Sequence, residues 1–207
     1  MVELKNVTKM IRGTEIIKNV SVEFEDGIVT GINGINGSGK TMLMRLISGL
    51  IKPTEGEVII DGKVLGKDIA FPKSIGILIE NPAFIDYYSG FENLRLLALI
   101  QKKIGVEEIR EALLAVGLNP DDKKKYKKYS LGMKQRLGIA AAIMESPDII
   151  LLDEPTNALD TEGIERIKKI VLRKKEEGKT IIISCHDQLT LEYLSDKIFC
   201  IEEGRIV

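Results

Sequence analysis

The 207-residue chain has one histidine, His186, and two cysteines, Cys185 and Cys200. Both cysteines lie in apolar segments without metal-ligand spacing, so buried free thiols are expected, a disulfide is not, and no chemistry is assigned to them. Excess charge of either sign is also lacking. Lys and Arg number 30 against 31 for Asp and Glu, so no global field favours nucleic acid or an anionic membrane, and partners must be recognised locally. No apolar run approaches the length that crosses a bilayer, and the opening "MVELKNVTKMIRG" has no signal-peptide core, which makes a cytosolic chain the expectation. Internal repeats, low-complexity linkers and sustained heptads are missing, which excludes solenoids and coiled coils. What remains is an ordinary globular composition, 44% hydrophobic and 29% charged, for one domain or one domain with an inserted subdomain.

Four short apolar runs read as buried parallel strands: "IVTGI" from Ile28, "IGILI" from Ile75, "IILL" from Ile149 and "IIIS" from Ile181. Helical patterns separate them, which predicts an α/β core with a mainly parallel sheet. Alternation and glycine turns in "VELKNV", "NVSVEFEDG" and "GEVIIDGKVL" predict an N-terminal antiparallel β part. The stretch from about 82 to 146 reads as a helical subdomain inserted into a single domain spanning 1–207. Within it Val106, Ile109, Leu113 and Val116 share one helical face, as do Leu137, Ala140, Ala141 and Met144, and both stripes are expected in the core.

"GINGSGKT", Gly34 to Thr41, follows a strand and opens a helix. Glycines there let successive N–H groups turn inward to a phosphate, the helix N-terminus adds positive potential, Lys40 reaches the β- and γ-phosphates, and Thr41 offers a hydroxyl to Mg²⁺. "DIILLDEP", Asp148 to Pro155, ends an apolar strand in two adjacent acids. Alone, such a pair is a solvated turn; beside a phosphate loop, Asp153 holds Mg²⁺ directly or through water, and Glu154 polarises an attacking water as general base. "YSLGMKQRLGIAAAI", from Tyr129, puts Ser130 and Gly132 at a fresh helix start. That is an ordinary N-cap or a second anion half-site. His186 taken alone is either a surface side chain or an imidazole that chemistry requires.

These motifs, in this order, resemble the nucleotide-binding subunit of ABC transporters over essentially the whole length. "GINGSGKT" is similar to the Walker A loop, "YSLGMKQ" to the family signature, "IILLDEP" to the Walker B strand, "NALD", ending at Asp160, to the D-loop, and His186 to the switch histidine. The resemblance implies a P-loop NTPase fold, ATP and Mg²⁺ as ligands, and a head-to-tail dimer in which one chain's Gly34, Ile35, Asn36, Gly37, Ser38, Gly39, Lys40, Thr41 and Met42 hold ATP against the other's Ser130, Leu131, Gly132 and Met133. It implies that His186 senses the γ-phosphate. It also implies a membrane permease as partner, no nucleic acid, and a cytoplasmic subunit peripheral to the membrane.

Departures accompany the match. Leu131 and Met133 stand where the family signature has Gly and Gln, Met42 where a second hydroxyl is common, and Glu80 where a glutamine follows the strand. The aromatic that stacks on adenine falls at Ile11, with Met10 the nearest other side chain. Glu80 is expected to face Mg²⁺, its waters or the permease, since repulsion from an uncompensated phosphate at about 4 Å costs roughly 4 kcal/mol. "SLGMKQRLGIA" and "IENPAFIDYYSGFENLRLLA" resemble the branch that exports drugs, bacteriocins or lipids or confers peptide immunity. The alternative is a non-transport ABC ATPase acting on nucleic acid or ribosomes, supported by "DDKKKYKKYS" from Asp121, whose lysines and tyrosines can serve a phosphate backbone and stacked bases.

Overall fold

The computed structural model describes residues 1–207. Its first half runs β1 (Val2–Ile11), β2 (Thr14–Phe24), β3 (Val29–Asn33), α1 (Lys40–Ile47), β4 (Glu55–Ile60), β5 (Lys63–Val64) and β6 (Ile75–Leu78). Three helices follow, α2 (Gly90–Gln101), α3 (Val106–Ala115) and α4 (Leu131–Ile143). The chain closes with β7 (Ile149–Asp153), α5 (Thr161–Glu176), β8 (Thr180–Cys185), α6 (Gln188–Leu194), β9 (Lys197–Glu202) and β10 (Arg205–Ile206). None of these helices is long and apolar enough to cross a membrane.

The alternating N-terminal segments pair as an antiparallel sheet in the order β2-β1-β4-β5. The continuous apolar runs form the second sheet, β10-β9-β3-β8-β7-β6, parallel from β9 to β6. Side chains alternate across a strand, so β7 and β8 feed two cores. Ile149, Leu151 and Ile182 pack with α1 and the antiparallel sheet, while Ile150, Leu152, Ile181 and Ile183 pack with α2 to α6. Being apolar on both faces, these strands show no alternation of their own.

The predicted architecture is present, with three corrections. β9 and its antiparallel partner β10 add a fifth parallel strand and an edge hairpin beyond the four apolar runs. Val106 opens α3 and is 51% exposed, because its face overhangs the end of the stripe that Ile109, Leu113 and Val116 bury. Cys185 is buried as expected, whereas Cys200, on a half-buried strand, is only partly so.

Parallel pairing sets the carboxyl ends of β3, β6, β7 and β8 side by side. The loops leaving those ends carry Gly34–Gly39, Glu80, Glu154 and His186, the rim where open α/β sheets bind ligands.

Candidate active site

Gly37 and Gly39 turn the loop from β3 into α1 at φ +84° and +117°, conformations that a side chain resists. Their turn leaves Ser38 buried at 4% exposure, its Oγ without a hydrogen-bond partner, and brings Lys40 back over the loop. The Lys40 ammonium donates to the carbonyls of Gly34 at 2.6 Å and Ile35 at 3.2 Å. A buried hydroxyl without a partner and a buried lysine resting on carbonyls make a cradle suited to an anion.

The two acids of "DIILLDEP" have different surroundings. Asp153 is 4% exposed at the end of β7 and accepts from the hydroxyls of Thr41, at 2.7 Å, and Ser184. Glu154, one residue on, sits at φ +50°, a strained left-handed conformation that turns it out of the strand. Its N–H donates to the Ser184 carbonyl at 3.0 Å, and its carbonyl accepts from Gln135 on α4 at 2.9 Å. Its carboxylate lies 3.6 Å from Lys40 Nζ through Oε1 and 2.8 Å from His186 Nδ1 through Oε2. A carboxylate only accepts, so Nδ1 carries the hydrogen. Beneath them the Cys185 thiol is pushed up by burial and sits 3.8 Å from the Thr156 hydroxyl.

Ile35, Asn36, Gly37, Gly39, Lys40, Thr41 and Met42 line one cleft with Ile16, Arg45, Glu80, Asp153 and Glu154. Gly34 and Ser38 border the neighbouring cleft, which reaches His186. A third links Thr41, Glu80, Asp153 and Glu154 to Leu131 and Gln135 at the start of α4. Ser130, Gly132 and Met133 stand outside all three. Ser130 caps α4 by accepting from the Met133 N–H at 3.2 Å, and Gly132 lies so near the loop after β7 that a Cβ would stand 2.8 Å from the Ala158 carbonyl oxygen. Asp160 caps α5, accepting from Gly163 N–H at 2.9 Å.

The structure adds detail at two of these positions. Glu80 lines the cleft with Thr41 and Asp153, and its Oε1 is 2.6 Å from Arg45 Nη2, a cation that the local sequence does not reveal. Ile11, 40% exposed at the end of β1, and Met10 both lie outside the cleft, while Ile16 lines it. Gln135, Ser184, Arg45 and Ile16 were missed because each acts across elements distant in the chain, a relation that no local motif reports. The lysine run also changes meaning. Tyr126 and Tyr129 are 4% and 8% exposed, with their phenols pushed up by burial and bonded to Pro82 O and Gly90 N, so neither ring can stack on a base.

The ABC transporter family model matches residues 17–157. Over 206 residues, all of this chain and 94% of the relative, identity is 47% to the uncharacterized ABC transporter ATP-binding protein YybJ of Bacillus subtilis (strain 168). It is 38% over 210 residues, all of this chain and 89% of the relative, to the lantibiotic transport ATP-binding protein SrtF of Streptococcus pyogenes. A dimeric, post-hydrolysis structure of the ATP-binding cassette MJ0796 bound to ADP and Pi superposes with a TM-score of 0.89 at 29% identity, covering all of this chain and 96% of that one.

Proposed function

The chain belongs to the ABC transporter family of ATP-binding proteins and is the ATP-hydrolysing subunit of a transporter; from that premise we propose an exporter that works as a head-to-tail pair of this chain beneath a separate membrane permease. Residues 1–207 then form one ATPase domain, with 82–146 as its inserted helical arm. Similarity to a lantibiotic transport protein supports export, with a peptide as cargo class. The chain sits at the cytoplasmic face, peripheral to the membrane through its permease.

In this reading the backbone of Gly34–Met42 and the unpartnered Ser38 hydroxyl receive the β- and γ-phosphates, and Lys40 exchanges the Gly34 and Ile35 carbonyls for phosphate oxygens. Mg²⁺, when bound, supplies charge neutralisation at the phosphates, and Thr41 and Asp153 already bring together the hard oxygen donors that it takes. Glu154 accepts the proton of the attacking water. His186 holds Glu154 through Nδ1, trades that contact for the γ-phosphate, and so reports its presence. Ser130, Leu131, Gly132 and Met133 of one chain cover the ATP of the other, with Asp160 on the loop between them.

The observation that carries the reading is the Glu154 carboxylate, held between Lys40 at 3.6 Å and His186 at 2.8 Å at the mouth of the phosphate loop. Glu154→Gln keeps the shape and removes the base. Hydrolysis is expected to fall about a hundredfold or more while ATP binding survives, and light scattering in Mg-ATP is expected to show a trapped dimer. A monomer that still hydrolyses at the native rate sinks the assignment.

A further inference from the structure

One cluster beside the cleft includes a thiol, that of Cys185, which ATP hydrolysis does not use. The carboxylate of Glu154, the Sγ of Cys185 and a ring nitrogen of His186 all lie within 4.8 Å of one another. Cys185 ends β8 and His186 follows it, and the left-handed turn at Glu154 brings its carboxylate across from β7. We propose that these three side chains form a binding site for a thiophilic divalent cation of the Zn²⁺ class in the nucleotide-free chain, and that its occupancy shuts off hydrolysis.

Four-coordinate zinc has bonds of about 2.0 to 2.3 Å, which set its ligands roughly 3.3 to 3.8 Å apart. Contraction from 4.8 Å to those separations is required. His186 is free to supply it, being 54% exposed, and the same exposure gives the ion an entry path. Three protein ligands leave a fourth position for water. Sulfur, imidazole nitrogen and one carboxylate select zinc over magnesium, whereas Thr41 and Asp153 offer oxygen only, so the two cation sites do not compete for one metal. The unfavourable neighbour is Lys40, 3.6 Å from Glu154 Oε1, and the Gly34 and Ile35 carbonyls hold its ammonium when Glu154 turns toward the thiolate. Binding places the thiol proton in solvent. A cation there ties up the carboxylate and the imidazole together, leaving the phosphate loop open to nucleotide but without its base. Inhibition therefore rests on the role proposed for Glu154; binding does not.

The test uses the tag-free full chain without nucleotide, titrated with Co²⁺ as a spectroscopic probe and then with Zn²⁺. One equivalent of Co²⁺ is expected to raise a thiolate-to-cobalt charge-transfer band that Zn²⁺ bleaches. Cys185→Ser should abolish the band and weaken Zn²⁺ binding by more than about tenfold, the loss typical of even an outer partner. Cys200→Ser should retain both. His186→Ala, at an exposed position that does not threaten folding, should weaken binding as Cys185→Ser does. A band that is absent from the parent, survives in Cys185→Ser or disappears in Cys200→Ser overturns the site. Zn²⁺ is expected to suppress Mg-ATP turnover of the parent at concentrations that rise with ATP, since the γ-phosphate competes for His186; turnover untouched at saturating Zn²⁺ overturns the inhibitory part. A chain that shows the band but never hydrolyses Mg-ATP would refute the ATPase reading and leave the metal site standing.

Discussion

The phosphate loop and the start of α4, the two half-sites proposed above, are built differently. Around the phosphate loop the acids are held from other elements: Thr41 and Ser184 hold Asp153, Gln135 holds the Glu154 backbone, and His186 and Lys40 flank its carboxylate. The cap of α4 is satisfied locally. Ser130 accepts from its own helix, and Leu131 stands 63% exposed. The first region is preorganised within one molecule, while the second is a finished helix end facing outward. The backbone differs as well: Glu80 and Glu154 on the phosphate side are left-handed, whereas Ser130 is extended. Damage to the first region should reach a lone chain, and damage to the second should appear only when two chains meet.

The largest effect separating them is expected from Leu131→Glu. An acid in the first turn favours an isolated helix, and the exposed position leaves the fold intact. In the proposed head-to-tail dimer the same charge would face the phosphates of the other chain's ATP. Hydrolysis should fall about a hundredfold or more, and Glu154→Gln carrying it should no longer dimerise in Mg-ATP, while the single chain binds ATP as before. Loss of ATP binding by the monomer would show that α4 belongs to the first site and erase the division.

His186→Ala probes the preorganised side and ranks next. A contact made mainly in the transition state slows hydrolysis by about tenfold to a hundredfold with ADP affinity nearly unchanged. Equal losses in ATP and ADP affinity, read by calorimetry, would make the imidazole a structural prop for the loop.

The same contrast governs what was legible in the chain. Asp153, Glu154, Lys40 and Ser130 could be read because each lies in a short motif whose chemistry follows from adjacent residues. Their partners could not. Arg45 meets Glu80 and Gln135 meets Glu154 only because helices lie across strand ends, a relation set by packing. The parallel core announced itself through strands buried on both faces. β9 did not, since "KIFCIE" near the sheet edge mixes charge with apolar residues and is only half-buried. The two-residue turn Glu203–Gly204, both at positive φ, was its one local signal.

The smallest effect belongs to Glu80, and it decides whether that acid is a ligand or a counter-charge. Its pair with Arg45 is exposed at 57% on the acid and 35% on the base, so the bond contributes roughly 0 to 1 kcal/mol and is screened by salt. Arg45 lines the same cleft as Lys40 and Thr41, and Glu80 now offsets its charge there. Glu80→Gln keeps the length and the amide's hydrogen-bonding capacity while freeing the guanidinium to face phosphate. ATP should bind about two- to fivefold more tightly, a change within that energy range, with the gain shrinking as salt rises. Titration in the Glu154→Gln background keeps hydrolysis from blurring the reading, and Arg45→Gln in the same background should cancel the gain. Weaker binding in Glu80→Gln would mean that the carboxylate itself is needed at the nucleotide, and Arg45 would then be its positioning partner, not a charge that it restrains.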